Sequence, residues 1–126
     1  MTTPEIRPQD IDTADCLLEK TEIGAKHIRL HFAEIYRTDA HAFVENVLID
    51  ISGWQQFHGT AYHAKTGRYR TVAENRIEPL ESVSEYVFSD GILTLKGSAL
   101  LPSGEWLEYT FRHPAIRITQ RREEAV

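Results

Sequence analysis

Residues 83–101 read VSEYVFSDGILTLKGSALL, two runs of alternating apolar and polar residues separated by Asp90-Gly91. Asp-Gly suits a two-residue type I′ turn, because both central residues of that turn need a positive φ angle. Pairing across the turn gives the opposed residues Ser89/Ile92, Phe88/Leu93, Val87/Thr94, Tyr86/Leu95 and Glu85/Lys96. Apolar residues then share one face and an opposite-charge pair lies on the other, which predicts an antiparallel hairpin.

A second reversal is predicted at residues 102–104, Pro-Ser-Gly, as a type I turn closed by a glycine in the left-handed conformation. Pairing Leu101 with Glu105 across it adds a third strand with the opposed residues Ala99/Leu107, Ser98/Glu108, Gly97/Tyr109, Lys96/Thr110, Leu95/Phe111 and Thr94/Arg112. A slip of one residue would bury Lys96, Glu108 and Arg112, so burial of the apolar face favours this register.

A third hairpin is predicted for residues 57–64 and 68–74, with Lys65-Thr66-Gly67 as its loop. Gly67 supplies the positive φ angle that such a loop needs. The expected cross-strand pairs are His63/Tyr69, Tyr62/Arg70 and His58/Glu74. The faces of this hairpin are less cleanly divided into apolar and polar than those of the first two.

The rest of the chain is also rich in strand patterns. Residues 26–36 alternate as a half-buried strand does, and residues 16–23 can pair with them through Gly24-Ala25-Lys26. Residues 43–51 fit helical spacing as well as alternation, and their four β-branched residues favour a strand. Pro114 marks a boundary before a short last strand, residues 115–120, which we expect at a sheet edge.

The whole chain of 126 residues is long enough for one hydrophobic core, and it contains no linker that would separate two domains. We therefore predict a single all-β domain, an antiparallel meander sandwich or partly open barrel of about seven or eight strands with little helix. Residues 1–14 and 121–126 are expected to be flexible tails.

Composition limits the class of function. The 19 acidic residues exceed the 14 basic ones, a net charge of -5, and no stripe of Lys and Arg interleaves with aromatic residues, so nucleic-acid binding is disfavoured. No apolar run approaches membrane-spanning length and no leader pattern is present, which makes the cytoplasm the expected compartment. The single cysteine cannot form an internal disulfide.

Catalytic and metal-binding motifs are missing from the sequence. His27 and His31 lie on one face of a predicted strand, where four residues at about 3.3 Å each separate them by roughly 13 Å, too far for one metal ion. Nucleotide-binding, zinc-protease and serine-esterase patterns are absent. We expect no metal, no cofactor and no catalytic residue, and the balance is against an enzyme.

One group of residues is a candidate ligand-binding site: Trp54, His58, Tyr62, Arg70 and Glu74. The predicted pairing of His58 with Glu74 resembles half of a general-base arrangement, although a cross-strand ion pair explains it more simply. Tyr62 beside Arg70 is either a cation-π pair or part of a polar patch. Trp54, between two glycines, suits a sugar platform, but the favoured interpretation is a plug at the end of the core.

A second candidate is an interaction surface. The predicted register places Leu100 and Trp106 on the polar face of the first sheet, where an apolar pair needs either a covering segment or a partner. Our leading hypothesis is therefore a non-catalytic module that binds another protein or itself. The alternative is a domain that binds a carbohydrate or another polar ligand, or a minor enzyme, using the pocket around His58 and Glu74.

Two local resemblances accompany these patterns. Residues 30–36, LHFAEIY, resemble the F-A-E strand of malectin-type carbohydrate-binding domains over seven residues, without that family's aromatic sugar ligands. The layout of residues 15–18, a strand at 27–32 and a late hairpin at 84–95 is similar to small bacterial β-domains that include toxin-immunity proteins. The second resemblance implies an acidic inhibitor that captures a basic toxin surface. Neither identifies a family.

Overall fold

The computed structural model describes residues 5–14, 16–100 and 103–121. These residues form eleven β-strands and one turn of 3₁₀ helix, Glu74–Arg76. The strands are β1 Glu5–Ile6, β2 Ile11–Asp12, β3 Leu18–Gly24, β4 His27–Arg37, β5 Ala42–Ser52, β6 Gln56–His63, β7 Arg68–Val72, β8 Glu85–Ser89, β9 Ile92–Ser98, β10 Trp106–Arg112 and β11 Ala115–Gln120. No helix in these ranges is long and apolar enough to cross a membrane.

The strands form two antiparallel sheets. Sheet A has the order β1-β11-β5-β4-β2, and β3 also pairs with β4. Sheet B has the order β7-β6-β10-β9-β8. The prediction of an all-β antiparallel fold with little helix is confirmed, with more strands than the seven or eight expected.

The core lies between the two sheets and follows from the alternation of each strand. Sheet A contributes the buried residues Ile28, Leu30, Phe32, Val47, Ile49, Ile51 and Ile118. Sheet B contributes Ala61, Val72, Tyr86, Leu93, Leu95, Leu107, Tyr109 and Phe111. Complete burial of a large apolar side chain contributes about 1.5–3 kcal/mol, so this set supplies the main stabilisation of the fold.

The hairpin of β8 and β9 has the predicted register. Its Cα partners run from Ser89/Ile92 to Glu85/Lys96. Asp90 and Gly91 have φ angles of 53° and 73°, as a type I′ turn requires. Tyr86 and Leu95 are buried, and Lys96 stays partly exposed and lies 3.5 Å from Glu85.

The register of β9 and β10 was predicted two residues out. The structure pairs Leu107 with Gly97 and Phe111 with Leu93. The Ala99 N–H donates to the Glu105 carbonyl and the Gly104 N–H donates to the Leu100 carbonyl, so the reversal is centred one residue earlier than predicted. Leu101 and Pro102 lie outside the described residues. Because the shift is even, every side chain keeps its predicted face.

The register of β6 and β7 was predicted one residue out, which has larger consequences. His63 pairs with Arg68 across a four-residue loop in which the Gly67 N–H donates to the His63 carbonyl. Tyr62 therefore pairs with Tyr69, and Arg70 pairs with Ala61. The predicted pairs His63/Tyr69, Tyr62/Arg70 and His58/Glu74 are therefore wrong. Glu74 lies beyond the end of β7, in the 3₁₀ helix.

The other elements confirm some expectations and correct others. Residues 43–51 lie in strand β5, as their β-branched content predicted. Strand β11 is internal, because β1 pairs with its outer side. Residues 5–14, expected in a flexible tail, instead form β1 and β2, where Ile6 and Ile11 are buried. The hydroxyl of Tyr86 helps to hold this segment by donating to the Pro8 carbonyl at 2.9 Å.

Candidate functional site

The solvent face of sheet A carries a row of alternating charges. Glu22, Arg29, Asp50 and Arg117 are successive cross-strand partners on β3, β4, β5 and β11. Arg29 Nε lies 3.6 Å from Asp50, and Arg117 Nε lies 2.5 Å from Glu5 on β1. Each charge has an opposite neighbour within the face. The charges of this row are therefore largely compensated by one another.

The pKa of Glu22 can be used to test the ion pairs of this row. The Lys20 ammonium at 2.9 Å, together with His31 at 3.4 Å, lowers the pKa of Glu22 from its ordinary 4.5 to about 2. A carboxylate whose pKa is lower in the folded chain stabilises the fold above its ordinary pKa and loses this effect as the pH falls. We expect the difference in urea midpoint between the wild type and Glu22→Gln to shrink as the pH falls from 4.5 towards 2. A Glu22 carboxyl that titrates near 4.5 by NMR would contradict this contact.

Histidines on the same face do not converge on one point. His27 contacts Asp50, whereas His31 contacts Glu22. Among residues 5–14, 16–100 and 103–121, no group of three or more His, Cys, Asp or Glu side chains is placed to hold a metal ion. The face carries structural ion pairs.

The solvent face of sheet B is different, because aromatic side chains cross it in one row. Trp106, Tyr62 and Tyr69 are successive cross-strand partners on β10, β6 and β7. We call these three residues the aromatic row. Trp106 was predicted as part of an interface, and Tyr62 as part of a ligand site. Tyr69 belonged to neither prediction.

The aromatic row is open to solvent at its outer end. The ring centroids of Tyr62 and Tyr69 are 4.7 Å apart, with an angle of 39° between the planes. Tyr69 is 71% exposed, and Leu100, diagonal to Trp106 across the strands, is 47% exposed. Strands β1 and β2 belong to sheet A, so the N-terminal segment they form lies in the other layer and does not cover Trp106.

Sequence reasoning missed Tyr69 because of the loop between β6 and β7. A three-residue loop placed Tyr69 opposite His63, whereas the four-residue loop places it opposite Tyr62. Both loop lengths fit the glycine at position 67, so turn residues alone did not decide between them. The other available signal for the register was the alternation of Tyr69 and Thr71 on one face with Arg70 and Val72 on the other. This signal is weak on an edge strand.

Trp54 is a structural residue, as the favoured interpretation predicted. Its side chain is 1% exposed and packs on Phe111 with a centroid distance of 4.9 Å. The indole N–H donates to the Glu74 carboxylate at 2.6 Å. The indole therefore closes the end of the core and fixes the position of Glu74 at the surface.

Arg70 forms ion pairs with two carboxylates, and its cross-strand partner is Ala61, not Tyr62. Its guanidinium donates to Glu78 and to Glu105, each at 2.7 Å. The hydrogen bonds that its guanidinium donates to Glu105 and Glu78 raise the pKa of Arg70 above its already high ordinary value. The Tyr109 hydroxyl accepts from the Glu78 N–H and donates to its carbonyl, which fixes the backbone beside this cluster. Arg70 therefore ties the edge strand β7 to its neighbours.

His58 and Glu74 border the same hollow, although they are not a cross-strand pair. Both line a shallow hollow of about 600 Å³ at the other end of the solvent face of sheet B. The remaining residues around it are Gln55, Gln56, Phe57, Ile92, Thr110 and Arg112. The five residues predicted as one ligand site are thus distributed over three places: this hollow with Trp54 behind Glu74, the aromatic row, and the Arg70 cluster.

Comparison with known proteins identifies no relative: no protein-family model, no curated protein and no solved structure matches the chain. The two local resemblances in the sequence therefore remain expectations.

Proposed function

We propose that this protein is a non-catalytic binding module that docks a partner protein on the aromatic row. The observation that carries the proposal is the continuous row of Trp106, Tyr62 and Tyr69 on an open sheet face, with Leu100 beside it. Trp and Tyr are enriched among the residues that dominate binding energy at protein interfaces. The solvent face of sheet A carries a shorter aromatic group, the cross-strand pair Tyr36 and Phe43 with ring centroids 5.1 Å apart, and the row of paired charges.

Ring geometry favours a protein over a sugar as the occupant of this row. A sugar ring stacks on an aromatic face that lies open, but the tilted rings of Tyr62 and Tyr69 pack against each other with centroids 4.7 Å apart. The Trp106 indole N–H is already engaged with Glu108 at 3.3 Å. Packed tyrosine rings that carry hydroxyl groups, next to a tryptophan, suit contact with the side chains of a protein surface.

Charge favours a basic partner over a second copy of the chain. Two copies would each bring a net charge of -5 to the interface, which opposes their approach. A basic surface would be attracted instead, and complementary charge raises association rates. An inhibitor that captures a basic toxin is the most specific form of this proposal. A chain with one cysteine folds without an internal disulfide, which fits a reducing cytoplasm.

Truncating the aromatic row is expected to remove partner binding and leave the fold intact. We expect the double variant Tyr69→Ala/Trp106→Ala to bind a partner recovered with the wild-type chain at least about 30-fold more weakly, since two such residues together contribute roughly 2 kcal/mol or more. Biolayer interferometry with the purified partner measures this change. The matched control is Phe43→Ala, which removes a ring that is 60% exposed on sheet A.

Three results would contradict the proposal. A partner that binds the double variant as tightly as the wild type does not use the aromatic row. Equal losses in Phe43→Ala and the double variant would show a nonspecific effect of removing exposed rings. Sedimentation of the wild type as a dimer that Tyr69→Ala converts to a monomer would replace the basic partner with a second copy of the chain.

A further inference from the structure

The hollow on sheet B is built from hydrogen-bond donors on two adjacent strands. Arg112 and Thr110 on β10 are the cross-strand partners of Gln56 and His58 on β6. Directly opposed side chains on one face of a sheet are about 4.5–5.5 Å apart at Cβ, so these four form a compact block. Each carries an N–H or O–H group, and none of the four residues is buried. Sequence reasoning singled out only His58 among them.

Arg112 has unused donors in this block. One of its terminal nitrogens donates to the Gln56 side-chain oxygen at 3.3 Å. No carboxylate in the described part of the chain makes an ion pair with it, in contrast to Arg70, which holds Glu78 and Glu105. A guanidinium presents a planar fork of donors that matches the oxygens of a carboxylate or a phosphate. The block therefore has a full positive charge and neutral donors around it.

Glu74 adds an acceptor at the rim of the same hollow. The Trp54 indole holds one carboxylate oxygen at 2.6 Å, and Lys26 Nζ lies 4.0 Å from that oxygen. The carboxylate is thus fixed in position before any ligand arrives. Ile92, the partner of Arg112 on β9, supplies an apolar surface between the polar groups. A matching ligand would carry an oxyanion, hydroxyl donors and a small apolar face.

We propose that this hollow binds a small polyhydroxylated molecule that bears an oxyanion, such as an acidic or phosphorylated sugar. Arg112 takes the oxyanion, assisted by Gln56 and His58, and Glu74 accepts a hydrogen bond from a ligand hydroxyl. The volume of about 600 Å³ accommodates one sugar ring. This site is separate from the aromatic row and does not depend on the proposed partner.

The test is an NMR titration of the ¹⁵N-labelled full chain with three probes: glucuronate, glucose 6-phosphate and glucose. We expect glucuronate, glucose 6-phosphate or both to shift the amide signals of residues 56–58 and 110–112 in a saturable way. Glucose should bind at least about tenfold more weakly, because it lacks the oxyanion. Binding by glucuronate alone assigns a carboxylate ligand, and binding by glucose 6-phosphate alone assigns a phosphate.

Variants of the chain locate the site. Arg112→Gln should weaken binding of the charged probe about tenfold or more, and Arg68→Gln, which removes an exposed arginine from the outer edge of the same sheet, should not. Unchanged amide dispersion shows that each variant is folded. The double variant Tyr69→Ala/Trp106→Ala should bind the probe normally, which separates this proposal from the first.

The proposal is overturned if neither charged probe shifts these signals up to roughly 20 mM, a concentration that detects even weak ligands. It is also overturned if glucose binds as tightly as the charged probes. Binding that survives Arg112→Gln, or that Arg68→Gln abolishes equally, would place the oxyanion elsewhere.

Discussion

Gly97→Ala is expected to lower the free energy of unfolding by about 3 kcal/mol or more, at the upper end of the effects of overpacking. Gly97 is buried in the middle of β9, and a Cβ atom there would lie 1.8 Å from the Ser82 carbonyl oxygen. It would also lie 3.1 Å from Val83 Cα. These are backbone atoms, which cannot rotate away as a side-chain end can.

The backbone that crosses Gly97 is held on both sides of the contact. The Glu81 N–H donates to the Ser98 carbonyl, and the Ser84 N–H donates to the Lys96 carbonyl, each at 2.8 Å. Relief of the clash would require breaking these hydrogen bonds or bending β9. Either change disturbs the hairpin that contributes Leu93 and Leu95 to the core.

Gly24→Ala is the matched control for this prediction. Gly24 ends β3, and the nearest atom to an added Cβ is His27 Cβ at 3.9 Å, an ordinary contact. We expect a change within about 0.5 kcal/mol. Urea unfolding followed by tryptophan fluorescence compares both variants with the wild type. Equal midpoints for Gly97→Ala and Gly24→Ala would show that the 81–84 segment does not cross β9 at this distance.

Trp54→Ala is expected to destabilise the fold by about 3–5 kcal/mol, as truncation of a buried Trp commonly does. The change removes the ring that packs on Phe111 at 4.9 Å and on Phe57 at 6.4 Å. It also removes the N–H that holds Glu74, so the carboxylate loses its donor. Thermal and urea unfolding measure the loss.

Trp106→Ala is the natural comparison, because the same residue type is removed from a different environment. Trp106 is only half-buried on the solvent face of sheet B, so we expect less than about 1 kcal/mol of destabilisation. For the proposed binding of a partner we expect the reverse order, with Trp106 the more important residue. Comparable destabilisation by the two substitutions would contradict the assignment of Trp54 to the core and Trp106 to the surface.

Much of the fold was predictable wherever a turn of defined type met strict alternation. The Asp90-Gly91 turn set the pairing of β8 and β9, and the apolar face containing Tyr86 and Leu95 agreed with it. The register of β9 with β10 was predicted with an error of two residues. The side chains still lie on their predicted faces, because an even shift preserves the alternation. The N-terminal strands β1 and β2 were missed because two-residue strands leave no periodicity to detect.

The candidate site was predicted less well, because it depends on which residues lie side by side. The placement of Leu100 and Trp106 on the solvent face could be predicted from the alternation of side chains along their strands. The aromatic row required the register of β6 with β7, where a one-residue difference exchanges Arg70 for Tyr69 as the partner of Tyr62. The hollow required the pairing of β10 with β6, which are not consecutive in the chain. No turn connects these two strands directly, so no turn chemistry could set their register.

The sequence by itself determined the all-β class, the first hairpin and the division of most strands into an apolar and a polar face, since these follow from local turn geometry and alternation. Only the tertiary structure decided that Gly97 lies under the backbone of residues 81–84, that Trp54 holds Glu74, and that β6 lies between β7 and β10. Those contacts join segments far apart in the chain. They arise from strand pairing within sheet B and from packing at the end of the core, which the local pattern of neither segment specifies.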